Sequence, residues 1–184
     1  MQFQFLHYNI QELIPVNSCN TIMAYNKEIR GKLLELIRRH QFLISVSENL
    51  NVIYTQSSLV NFVISSIVIC LSGFNVMTVK DVVYVSTFLS FLILSLFQVF
   101  FLCYFGDLLM NSSTAICDAI YNSRWYLMEN AFRKDILIMH IRSRRACKLT
   151  AWGYANINLN AFMRVLSTSW SYLALLNTMY DQRN

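Results

Sequence analysis

Hydrophobic and polar positions change their spacing several times along this chain, and each change predicts a different kind of element. In "NKEIRGKLLELIRRHQFLISVSE" the apolar stripe runs through Ile29, Leu33, Leu36, Ile37, His40 and Ile44. That three-and-four spacing predicts an amphipathic helix. No charge occurs between Glu48 and Lys80, a gap centred on "SLVNFVISSIVICLSGFNVM". A bilayer crossing needs about 20 apolar residues, and this gap supplies them. Asn61, Ser65 and Ser66 share helical spacing within it, which predicts one face packed on protein rather than lipid. A second gap, "VVYVSTFLSFLILSLFQVFFLCYFG", runs from Val82 to Gly106 and is the strongest candidate for a span. A second amphipathic stripe follows through Trp125, Met128, Phe132, Ile136 and Met139. The last apolar stretch is split by Arg164: "LTAWGYANINLNAFM" precedes it and "VLSTSWSYLALLNTMY" follows. Either one long helix or two helices broken near the middle is expected there.

These elements predict an all-α, polytopic membrane helix bundle, with about three transmembrane helices and amphipathic cytoplasmic helical extensions. Four segments are expected. Residues 1–26 form an N-terminal segment, and 27–106 a cytoplasmic helix plus the first two spans. Residues 107–148 form a cytoplasmic helical linker, and 149–184 a last helix with a short extracellular tail. No cleavable signal peptide is expected, because "MQFQFLHYNIQELIPV" lacks a basic start and a clean apolar run.

Composition agrees with the pattern. The 184 residues are 55% hydrophobic and 14% charged, against about 25% charged in a soluble domain. A soluble helical bundle is disfavoured by the two long charge gaps. The net charge of +5 does not require nucleic acid. Twelve of the fifteen Lys and Arg residues fall in 27–48 and 107–148, which three spans place on one side of the membrane. That side is expected to be cytoplasmic, with the N-terminus inside and the C-terminus outside.

Chemistry for catalysis is missing from the pattern. There is no GxGxxG, P-loop, HExxH or GxSxG sequence. His7, His40 and His140 are far apart, and His40 lies on a helical stripe where a structural role is expected. Cys19, Cys70, Cys103, Cys117 and Cys147 are scattered without a CxxC pair, so free thiols are expected rather than a disulfide frame or zinc site. Asp107 and Asp118 are expected to pair with basic neighbours. The "NSS" at Asn111 lies on the expected cytoplasmic side and should carry no glycan. No enzyme activity, cofactor or metal is expected.

Three local patterns stand in order. The first is "LIRRHQFLISVSENLNVIYTQ", followed by a span ending "SIVICLSGF". The second is "FQVFFLCYFGDLLMNSSTAICDAIYNSRWY", with Gly106, Ser113, Ala119, Tyr121 and Trp125. The third is "RRACKLTAWGYANINLNAFMRVLSTSWSYLALL", with Phe162, Leu166, Ser169-Trp170-Ser171-Tyr172 and Leu175-Leu176. Together, over residues 27 to 180, they resemble the C-terminal part of insect odorant receptors, spans five to seven of a seven-span fold. The chain departs from that pattern where a proline is absent from "RRACKLTA", and where Ser167 replaces a lysine with Arg164 one turn earlier.

The resemblance implies a subunit of an odorant-gated, non-selective cation channel in the plasma membrane of olfactory neurons. It implies a tetramer with an odorant co-receptor, a volatile small-molecule ligand and a pore lined by the last helix. The hydrophobic constriction would fall at Leu175, with Met179 one turn further out and Ser171 and Thr178 near the pore or a helix interface. An apolar ring of this kind gates by dewetting. Tyr84, Thr87 and Phe88, in the outer part of the second span, are the implied ligand contacts. Alternative readings are a gustatory receptor relative and a truncated, non-conducting membrane assembly module.

Overall fold

The computed structural model describes residues 2–12, 22–79, 81–127 and 130–182. Cys19, Lys80, Met128 and Arg183 lie outside these, as do the side chains of Lys27 and Ile29. Five helices account for most of the fold: α1 (Gln2–Gln11), α2 (Ile22–Thr78), α3 (Val82–Asn122), α4 (Asn130–Ser143) and α5 (Leu159–Asp181). A single 3₁₀ turn covers Trp125–Leu127, and two short antiparallel strands, β1 (Thr150–Ala151) and β2 (Ala155–Asn156), form a hairpin.

α2 is one helix of 57 residues and α3 one of 41. The amphipathic stripe and the apolar gap that follows it are therefore consecutive parts of the same helix. No glycine or proline interrupts the junction at residues 45–60, and nothing in the sequence there breaks the hydrogen-bond ladder. α2 from Arg30 to Thr78 and α3 are long and apolar enough to cross a membrane. The 23 residues of α5 reach about 34 Å, enough to span, but they are more polar.

The chain divides into two compact units, each drawing on both long helices. Residues 1–50 and 108–148 form the first, and it contains most of the charge. Its core joins Phe3, Leu6 and Ile10 of α1 to Leu33, Leu36 and Ile44 of α2, Ile116, Ala119 and Ile120 of α3, and Phe132, Ile136 and Met139 of α4. Both stripes read from the sequence are thus turned inward at their described positions, except Trp125, which lies in the turn before α4 and is exposed. α1 was not among the expected elements; its apolar positions 3, 6 and 10 form too short a stripe to stand out. It is held by His7 Nδ1 at 2.9 Å from the Ala115 carbonyl and by the Arg39 guanidinium, 4.8 Å from the centre of the Phe5 ring. Arg142 pairs with Glu48 at 2.8 Å, an exposed contact that contributes little.

Residues 51–107 and 149–184 form the second unit. Here the buried face of α2 reads Ser58, Phe62, Ser65, Ile69 and Ser72, alternating small and large residues at intervals of four and three. Lipid tails are as apolar as leucine, so close packing and polar contacts hold such helices together. Gln98 of α3 donates to Asn61 of α2 at 2.8 Å. Gly106 of α3 packs so closely on the Ile157 carbonyl that a Cβ would overlap it. Asn61, Ser65 and Ser66 do face protein, as their spacing predicts. Cys70, Cys103, Cys117 and Cys147 are free thiols.

Candidate functional site

The site is built around α5, and its position is set by the hairpin before it. Asn51 of α2 accepts from the Thr150 amide at 2.7 Å, and the Thr55 hydroxyl accepts from the Trp152 amide at 2.8 Å. The turn places Trp152 at φ 48° and Gly153 at φ 75°, both left-handed. Glycine adopts that conformation freely, whereas tryptophan does so at a cost that the Thr55 contact helps offset. The Asn158 side chain then caps α5 by accepting from the Ala161 amide at 3.0 Å. Neither sequence alternative is formed: the first half of the stretch is a hairpin rather than a helix, and one unbroken helix runs from Leu159 through Arg164 to Asp181.

α5 has two unlike faces. Ala161, Phe162, Val165, Ser169, Leu173 and Leu176 are buried or half-buried against the rest of the second unit. Phe162 meets Phe100 edge to face at 5.6 Å. Near the middle, the Ser169 and Ser66 hydroxyls lie 3.2 Å apart, a polar link inside the packed seam. The opposite stripe is exposed: Arg164, Thr168, Ser171, Leu175 and Thr178, with Met179 beside it. Leu175 is 56% and Met179 59% exposed. Ser171 donates to the Ser167 carbonyl at 3.0 Å and Thr178 to the Ala174 carbonyl at 2.9 Å. Their protons are satisfied within the helix, leaving oxygen lone pairs outward. The four residues expected at a pore therefore share one uncovered face.

Two apolar recesses flank the serine link. One, of about 470 Å³, is walled by Ile69 and Gly73 of α2, Leu92 and Leu96 of α3, and Trp170 and Leu173 of α5. The other, of about 400 Å³, includes Ser66, Cys70, Tyr172, Leu175 and Leu176. Tyr84 and Thr87 are exposed and Phe88 half-buried, and none of the three lines either recess. The larger recess begins at Leu92, one turn beyond Phe88. Gly73 and Trp170 were not expected in such a wall. One of only four glycines, placed inside an apolar run, was the available signal.

Comparison with known proteins matches residues 1–170 to the family model described as 7tm Odorant receptor. Odorant receptor 67c of Drosophila melanogaster is 31% identical over 177 residues, covering 96% of this chain and 43% of the relative. Odorant receptor 85b of the same species is 35% identical over 153 residues, covering 82% of this chain and 38% of the relative. The chain thus spans less than half the length of these relatives. Among solved structures, the insect olfactory receptor OR5 from Machilis hrabei in complex with eugenol has the same fold. Its TM-score is 0.71 at 16% identity, over 97% of this chain and 44% of that one. The continuous helices, the seam around Ser169 and the match along residues 1–170 lead to one conclusion: this chain belongs to the insect odorant receptor family, whose members are membrane receptors rather than enzymes.

Proposed function

We propose that this chain forms the part of an odorant-gated, non-selective cation channel subunit that includes the pore helix, α5. The observation that carries this reading is the uncovered polar face of a helix long enough to span. A face turned to lipid has no use for Arg164, Thr168, Ser171 and Thr178 in one stripe, and a water-filled path does. Leu175 interrupts that stripe with an apolar side chain, about 16 Å along the helix from Arg164. Such a ring closes a pore by dewetting, and a modest rotation of α5 would replace it with Ser171 or Thr178.

In this reading the complete subunit assembles with the odorant co-receptor as a hetero-tetramer in the plasma membrane, N-terminus cytoplasmic and C-terminus extracellular. The twelve basic residues of the two clusters support that orientation. The ligand is a volatile small molecule, with Tyr84, Thr87 and Phe88 as contacts on α3. The related fold holding eugenol supports a ligand of that size.

The test is electrical. In a receptor completed with its preceding spans and expressed with the co-receptor, Leu175→Ser should raise the current in the absence of odorant. Met179→Ser should do so more weakly. Unchanged gating and permeation at both positions would remove them from the pore and favour an assembly module that does not conduct.

A further inference from the structure

We propose that the hairpin between β1 and β2 is a lipid anchor, seating Trp152 and Tyr154 at the boundary between headgroups and acyl chains. The two rings are 59% and 83% exposed at the tip of a turn whose backbone is fixed. The turn closes through the Tyr154 amide on the Ala151 carbonyl at 3.0 Å, and it is tied to α2 at Asn51 and Thr55. A mobile loop presents an aromatic ring anywhere; this one presents it at a set depth.

The second unit itself gives that depth. Asn51 and Thr55 lie in the first two turns of α2 after its last charge, Glu48. On α3 the charge-free run ends at Gly106, which packs on Ile157 just after the hairpin. Both apolar helices therefore enter or leave their apolar stretch at the level of the hairpin. Exposed phenylalanines run along α3, but the exposed tyrosines of α2 and α3 in this unit sit at the ends of the apolar stretch, with Tyr54 on α2 and Tyr104 on α3 at the level of the hairpin. Tyrosine and tryptophan concentrate at membrane interfaces, where an apolar ring and a polar edge are both accommodated. The other end of α3 supports the same frame. Tyr84 is also exposed and precedes Tyr104 by twenty residues, a rise of about 30 Å and close to the hydrocarbon thickness. Water accounts for none of these rings being out, and acyl chains alone leave the Tyr154 hydroxyl without a partner. The interface satisfies both.

This inference rests on the membrane fold and stands apart from ion conduction. It is tested by reconstituting the chain, with Trp125→Phe and Trp170→Phe, into phosphatidylcholine vesicles, so that Trp152 is the only emitter. Lipids brominated near the headgroup should quench its emission more than lipids brominated near the methyl ends, and aqueous iodide should quench it weakly. Strong iodide quenching would put the ring in water and overturn the proposal. Stronger quenching by the deeper bromines would overturn it too. So would emission insensitive to every quencher, which indicates cover by protein such as a second copy. Should the double variant fail to fold, the same lipids are applied to the natural chain and to Trp152→Phe. The proposal then requires that this substitution remove the component quenched near the headgroups.

Discussion

Gly106 shows how much a single missing side chain matters. Its α-carbon lies against the Ile157 carbonyl, a backbone atom that cannot rotate away. Gly106→Ala gains about 1 kcal/mol of helix propensity but forces α3 off the segment before α5. Overpacking typically costs roughly 1–3 kcal/mol, and a backbone neighbour puts this position at the upper end. The variant should unfold at lower temperature in detergent than the natural chain. Gly31→Ala is the control, since nothing lies within 4 Å of its added Cβ, and it should be neutral or stabilising. Equal stability of the two variants would refute the close approach. His40 acts through its charge state. Burial first, and the Arg142 guanidinium second, push its imidazole from the usual 6.5 down to about 4. The folded protein keeps it neutral, while the unfolded chain takes up a proton near pH 6.5. Its contribution is therefore fully present above that pH and is lost as the pH falls toward 4, by up to about 3 kcal/mol. Thermal unfolding followed from pH 7 to 4 should show this loss, and His40→Gln should flatten it.

At the scale of elements, the two kinds of apolar pattern were legible for different reasons. The charge gaps at 49–79 and 82–106 are long, and length alone separates a span from a core helix. The stripes at Leu33, Leu36 and Ile44 and at Phe132, Ile136 and Met139 are turned inward because water drives their burial in the charged unit. Continuity was only partly legible, as helical extensions of the spans without their exact junction. Pattern changes where α2 passes from one environment to the next, but the backbone has no reason to break there. The hairpin was hidden for the opposite reason. Its two-residue strands carry too little periodicity to register, and its signal was Gly153 alone, with Trp152 left-handed against its own preference. The face of α5 lay between these cases. The apolar and polar positions after Arg164 showed a mixed helix. Which side was covered depended on Ser66 and Phe100, partners more than sixty residues away. Tyr84, Thr87 and Phe88 share a face by spacing, yet spacing does not say where a recess opens, and the structure opens it at Leu92.

At the scale of the whole molecule, the chain combines two kinds of stability. The first unit has an apolar core surrounded by charge, as a water-exposed helical bundle does. The second has small residues, a serine link in its seam and many outward apolar and aromatic side chains, as a lipid-exposed bundle does. The stripe from Arg164 to Thr178 fits neither water-excluded core nor lipid, and the proposed ion path rests on that misfit. Cysteine substitution along α5, in the completed receptor with its co-receptor, tests this most directly. A charged, water-borne thiol reagent should alter the odorant-evoked current at Thr168, Ser171 and Thr178. Leu173 and Leu176, turned into the seam, should not respond. Modification that follows the buried side, or a current indifferent to reagent on both faces, would contradict a pore along α5.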